Sequence, residues 1–384
     1  MQAADEADED HMADSGSEVD EELEEELVDT SIYCLAAHSD SVYAVAWAGS
    51  STKVVATGGG DDLGLLWKLV QTDTGESPGP AKQLEGHEDT VSVLAFSSDG
   101  QQLATGSLDG SVRIWASRNG SLLHALEGPA EGIEWLAWQP GSTCIAAGSE
   151  DFTAWIWDAA DGLTQQVLAG HSGPVRCGCF SLDGSSLITG GGEGDCSLRI
   201  WSAPTGDCTA AVSGHHVFHS AGLTRIALHP QGTAVLSGGE DGSVYLTAFP
   251  SAKVTASLPG HTDSIEDVAF CPVLPVAITA GMDGQVITWD HANAVIRHIC
   301  KHAEGVTRVA CHHSQPFLFT ACLDGIVRCW DIRSGICLRS QSGHSSGIQD
   351  MTLHRDGQLV LTASDDQTAR VFDFGADEPE AQEG

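Results

Sequence analysis

Apolar segments of four to six residues recur along most of the chain, each closed by turn formers. Val91–Phe96, Leu103–Thr105 and Val112–Trp115 are examples, bounded by Ser98-Asp99-Gly100 and Asp109-Gly110. Runs this short between Gly/Asp turns predict strands, and three or four in succession predict one small antiparallel sheet. The pattern has a period. An aspartate stands six residues before a tryptophan, or before the residue in its place, eight times: Asp61–Trp67, Asp109–Trp115, Asp151–Trp157, Asp195–Trp201, Asp241–Thr247, Asp283–Trp289, Asp324–Trp330 and Asp366–Phe372. The units are 41 to 48 residues apart, which is the signature of a repeat architecture. One such sheet cannot bury both faces; stacked radially, neighbours cover each other.

Each unit carries more than its Asp and Trp. A histidine lies 22 to 26 residues before most of the aspartates: His38, His87, His171, His215 or His216, His261, His302 and His344. A Ser or Thr lies four residues before most of them: Thr57, Thr105, Ser237, Thr279, Thr320 and Thr362. A buried polar group left unpaired costs roughly 2–7 kcal/mol. A histidine between Asp and Ser/Thr, with the Trp N–H as a further donor, can satisfy the whole set. This His–Ser/Thr–Asp–Trp pattern resembles the signature of the WD-repeat family over residues 31–374. The resemblance implies the hydrogen-bonded network in each regular unit, for example His87, Thr105, Asp109 and Trp115; His261, Thr279, Asp283 and Trp289; His302, Thr320, Asp324 and Trp330.

The expected fold is therefore all-β, an eight-bladed β-propeller over residues 30–375. Strand-like Ser31–Leu35 is expected to supply the outer strand of the last blade, leaving no open sheet edge. Some units depart from the pattern. Blade three has Pro129 for His and Ala147 for Ser/Thr, blade four has two extra residues in Gly190–Gly194, and blade five has Thr247 for Trp and an enlarged loop around 214–219. Drift buttressed by neighbours explains them; altered loops shaping a binding site would too.

Charge changes the picture most. The net charge is −37, and residues 1–29 hold 14 acidic side chains with no Lys or Arg. That segment is too charged to bury a core and is expected to be a disordered acidic tail, with a second short one at 376–384. The remainder still carries 40 acidic against 17 basic side chains. Such a body repels nucleic acid and anionic membranes, since phosphate binding needs Lys/Arg patches. A basic protein or peptide is the natural partner, steered over about 8–10 Å at physiological salt. No apolar leader and no run of 18 apolar residues is visible, so a cytoplasmic, and also nuclear, location is expected, as a monomer. Twelve scattered cysteines lack zinc spacing, so no metal is expected and the thiols should be free.

No catalytic chemistry is visible. Gly58-Gly59-Gly60 and Gly190-Gly191-Gly192 lack the Lys-Ser/Thr of a phosphate loop. The His/Asp/Ser sets recur eightfold, whereas an active site would appear once. No cofactor is expected. By resemblance to the family, three positions per blade face the top of the ring. The acids among them are Glu134, Glu150, Glu240, Glu266, Asp267, Asp350 and Asp365, with Tyr43 and Trp135 beside them. Acids among aromatics suit Arg and Lys side chains, through charge-assisted hydrogen bonds and cation–π contacts.

A finer resemblance lies in Gly132–Pro140, Thr153–Trp157 and Cys322–Asp331, with the acidic N-terminus. These resemble the angio-associated migratory cell protein branch of the family. That branch implies a dedicated chaperone that holds the basic N-terminal region of a nascent large-subunit ribosomal protein for 60S assembly. Two alternatives stand beside it: a signalling or cell-migration scaffold, and a substrate receptor of a cullin-RING ubiquitin ligase. The second rests on Trp330-Asp331-Ile332-Arg333, which resembles an adaptor-docking box.

Overall fold

The computed structural model describes residues 28–49, 53–69, 79–214 and 217–375. The expected tails 1–27 and 376–384 lie outside them, as do His215 and His216. Thirty-two strands among the described residues form eight four-stranded antiparallel sheets. In seven of them the strands follow in chain order, from the channel outwards: blades 1 to 7 span residues 42–84, 91–126, 133–169, 175–212, 223–257, 265–301 and 306–341. Blade 8 takes its three inner strands from 348–373 and its outer strand from Tyr33–Ala36.

Burial follows from that order. The second strand of each blade is covered on both sides and reads as an unbroken apolar or small-residue run, as in Gln102–Ser107 and Leu359–Ser364. Outer strands face solvent and carry exposed residues, as in Ser121–Leu126. The cores lie between blades. Ala104, Val112 and Ile114 of blade 2 pack with Ile133, Ile145 and Trp157 of blade 3, and the other seams are built alike. Near the channel the blades crowd. A Cβ on Gly58 would stand 2.7 Å from the Val91 carbonyl oxygen of the next blade, and one on Gly148 2.6 Å from that of Val175. Only glycine permits that approach.

The ring closes with residues from both ends of the described chain. Tyr33 pairs with Val371 and Leu35 with Ala369, and Ile32 N–H bonds the Val371 carbonyl. The closing strand thus sits slightly later than Ser31–Leu35, because residues 28–31 are used otherwise. Thr30 exchanges hydrogen bonds with Ser342 at the end of blade 7, and Asp29 pairs with Arg370. Asp29 therefore belongs to the folded body and not to a tail. Leu35 is wholly buried with Val371 and Leu361 of blade 8 and Val42, Leu65 and Trp67 of blade 1.

Candidate functional site

The signature residues fix the loops of one face. In blade 6 the Trp289 indole N–H donates to Thr279 Oγ1 (2.9 Å), and Thr279 lies 2.7 Å from His261 Nε2. The hydroxyl has a single proton, so with its oxygen accepting from Trp289 it donates to His261. That leaves Nδ1 protonated and donating to Asp283 at 3.0 Å. Burial lowers the pKa of His261, against the pull of Asp283, which keeps the ring neutral as the donor chain requires. The carboxylate also accepts the N–H groups of Thr262 and Gln285. Each aspartate of this kind thus ties the loop entering the blade to the turn between its middle strands. Blades 1, 2, 4 and 8 repeat this link, for example through His87, Thr105, Asp109 and Trp115. Thr279→Val is expected to strand both the Trp289 N–H and the His261 acceptor and to lower unfolding free energy by about 3 kcal/mol. Denaturant titration of the two proteins checks this; an unchanged midpoint would contradict the network.

Three blades solve the problem differently. In blade 7, His302 Nε2 bonds Thr320 and Trp330 bonds Thr320, but Asp324 turns to Arg328 at 2.7 Å. His302 Nδ1 is left buried without a partner, and burial with the nearby Arg328 pushes its pKa down to about 4. The expected His302–Asp324 pairing is thus replaced by an ion pair. In blade 5 the histidine is His219, and not the expected His215 or His216. It reaches Ser237 at 2.8 Å and Ser243 at 2.6 Å, flanked by Phe218 and Tyr245 where no tryptophan exists. In blade 3, Ala147 offers the Trp157 N–H nothing, and Trp155 stacks on Trp157. Asp151 still accepts from Ala130 and Thr153 N–H, so the loop stays pinned.

The inner strands carry a β-bulge near this face in every blade. Two residues there oppose one, and the two point differently. Tyr43, Ser92, Glu134, Arg176, Thr224, Glu266, Thr307 and Gln349 stand at the first position. All eight join Glu240 around a cavity of about 420 Å³ at the channel mouth. The second position is occupied by Ala44, Val93, Trp135 and Cys177 in blades 1 to 4, and by Arg225, Asp267, Arg308 and Asp350 in blades 5 to 8. The channel is thus apolar on one half and alternately charged on the other.

This corrects part of the expected groove. Trp135 is buried: its indole N–H bonds the Val175 carbonyl at 3.0 Å and its ring lies on Gly148 and Gly178. Asp267 accepts the N–H groups of Val268 and Val309, both at 2.9 Å, and burial raises its pKa even though Arg308 and Arg225 oppose this. Asp350 holds the Val45 N–H at 3.0 Å and Arg308 Nε at 2.8 Å. Both carboxylates bind one blade to the next and stand inside the channel wall, away from the rim.

The rim keeps Glu134, Glu150, Glu240, Glu266 and Asp365, with Tyr43 exposed and Gln349 bonded to Asp365 at 2.6 Å. Glu134 and Glu150 share a hydrogen bond; burial first, and Glu150 second, push Glu134 up to about 7 against the pull of Arg176. The structure adds five exposed acids that the sequence reading passed over: Asp40, Asp89, Glu131, Asp263 and Glu304. Each lies two residues beyond the network histidine or its replacement, and all but Glu304 stand on loops pinned by a signature aspartate. Among the described residues, no group of three or more His, Cys, Asp or Glu could hold a metal ion. At the end of blade 7's third strand, Trp330 is buried in the network and Arg333 forks onto Asp331.

Sequence comparison places a model of the first β-propeller of IFT122 on residues 69–331, and the WD domain, G-beta repeat model on 29–68 and 335–373. The WD repeat-containing protein C25H1.08c of Schizosaccharomyces pombe is 35% identical over 95% of this chain and 94% of its own length. The human angio-associated migratory cell protein is 30% identical over 90% and 80%. Among solved structures, Sqt1 of Chaetomium thermophilum bound to the N-terminus of the ribosomal protein L10 superposes with a TM-score of 0.81. It is 26% identical, over 90% of this chain and 100% of that one.

Proposed function

We propose that this chain, which belongs to the WD-repeat family, is a non-enzymatic chaperone or assembly factor that holds the basic N-terminal region of a large-subunit ribosomal protein on its acidic face. The observation that carries this reading is the rim itself. Ten carboxylates stand on this face, eight on its loops and Glu134 and Glu266 on inner strands, in a body with more than two acidic side chains for each basic one. A preorganised ring of acids holds Arg and Lys side chains at little cost in ordering. The Sqt1 structure described above supports the choice of client, being bound to the N-terminus of L10. A client of that kind binds RNA and aggregates when unpaired, and an acidic face would mask its charge until delivery.

Fluorescence anisotropy with a labelled peptide from the basic N-terminus of that ribosomal protein tests the reading. Binding should be tight at low salt and weaken steeply as salt rises; absent or salt-insensitive binding would sink the reading. A pH dependence should accompany it. Burial and the neighbouring Glu150 hold the pKa of Glu134 at about 7 when the face is empty. A cation seated there favours ionised Glu134, so binding releases its proton and affinity rises as pH rises through 7. Glu134→Gln should flatten that rise.

A further inference from the structure

The cavity at the channel mouth contains cations that the acidic face does not explain. Arg176, Arg225 and Arg308, from blades 4, 5 and 7, all line it. Arg308 has a partner in Asp350. Arg225 makes no side-chain hydrogen bond and no ion pair among the described residues, although it stands in the charged half of the channel. Arg176 has its Nε buried without a partner, and its Nη1 is 3.7 Å from Glu134, beyond hydrogen-bonding distance. Two of the nearby acids are engaged elsewhere: both oxygens of Asp267 accept backbone N–H groups, and those of Asp350 take Val45 N–H and Arg308. Glu134 meets these two arginines only through the long ion pair with Arg176, and among the described residues Glu240 and Glu266 of the same cavity pair with neither.

The geometry points to a carboxylate-binding subsite formed by Arg225 and Arg176, so that the occupant of this face is a basic peptide carrying one acidic side chain over the channel. The guanidinium fork matches a carboxylate with two parallel hydrogen bonds, and unmatched N–H donors in a narrow cavity make that match favourable. Repulsion from Arg308, followed by burial, lowers the pKa of Arg225; the attraction of an anion beside it offsets both. A polyphosphate would meet the same arginines but also Glu134, Glu240 and Glu266 around the same cavity. One carboxylate within a cationic peptide avoids that repulsion. The inference rests on the reading of the face as a basic-peptide site, and its test separates the two.

The probes are Arg/Lys-rich peptides with one Glu walked along the sequence, each paired with its Gln counterpart. On the wild-type chain, at the position that reaches the channel, the Glu form should bind about tenfold tighter than the Gln form. In Arg225→Gln the two forms should bind alike, and Arg176→Gln should narrow the gap. Equal binding of Glu and Gln forms to the wild type at every position overturns the subsite, as does a preference that survives both substitutions. If no basic peptide binds the wild type, the reading of the face has failed, and citrate judges the subsite alone. Saturable citrate binding lost in Arg225→Gln sustains it; no binding overturns it. A phosphoserine peptide or short RNA binding tighter than the Glu peptide also overturns it, in favour of phosphate. Thermal unfolding of Arg225→Gln should match the wild type, since no side-chain hydrogen bond is lost.

Discussion

Reversing three carboxylates at once, Glu240→Lys, Asp263→Lys and Glu266→Lys, is expected to weaken capture of the basic peptide by about 100-fold, or roughly 2.7 kcal/mol. All three lie on the mouth side of blades 5 and 6, and Glu240 and Glu266 line one cavity. None belongs to a histidine network, so the fold should tolerate the change. The loss has two sources. Each lysine removes a charge-assisted partner, and each places a like charge opposite the client. The slope of affinity against salt should shrink with it, because fewer cations are matched. Anisotropy across a salt series reads both quantities. A triple variant that binds as the wild type does would remove the rim from the mechanism. Reversal of Asp267 or Asp350 is a poorer experiment: each holds a backbone N–H of the next blade, at Val309 and Val45, so lost binding could reflect a damaged ring.

The second large effect concerns closure. A chain lacking the first 37 residues should lose several kcal/mol of stability and become prone to aggregation. Leu35 is fully buried between blades 8 and 1, and burial of one such side chain contributes about 1.5–3 kcal/mol. The Asp29–Arg370 pair and the Thr30–Ser342 bonds disappear with it. Strand Thr368–Asp373 then presents an unpaired edge to solvent, a template for pairing with another chain. Thermal unfolding and light scattering check the result, and a peptide of residues 28–37 should restore part of the loss. Leu35→Ala in the full chain isolates the core contribution, at about 3 kcal/mol. A truncated chain as stable as the full one would contradict the closing role.

The ring was legible because its period is chemical: every buried aspartate needs donors at fixed distances along the chain. The same logic failed where a local pattern imitates another. Gly-His precedes the strand in Gly86-His87, Gly170-His171, Gly260-His261 and Gly343-His344, so Gly214-His215 drew attention, yet His219 takes the role. It stands 22 residues before Asp241, the spacing found in blades 2, 6, 7 and 8. Trp135 was misplaced for a different reason. The bulge between Ile133 and Trp135 turns residue 134 toward the rim and 135 into the seam, and no period encodes which of two adjacent residues that is. Asp267 and Asp350 follow Trp135. The exchange of Asp324 from His302 to Arg328 was equally hidden, since blades 2, 4 and 8 also carry an arginine there, at Arg113, Arg199 and Arg370. By contrast Asp40, Asp89, Glu131, Asp263 and Glu304 could have been found by counting two residues past each histidine, or past Pro129 in its place.

Ring closure also sets an order in time. Thr30 meets a partner 312 positions further along the chain, and Tyr33 pairs beyond it with Val371. Strand Tyr33–Ala36 must therefore wait for strand Thr368–Asp373. Blades 1 to 7 can each form from continuous sequence as they emerge, whereas blade 8 and its two seams cannot exist before strand Thr368–Asp373 has emerged. Contacts of such long range are slow to form. The channel mouth draws on all eight blades, so it cannot acquire its shape before the ring closes, and an arc of fewer blades carries no finished site.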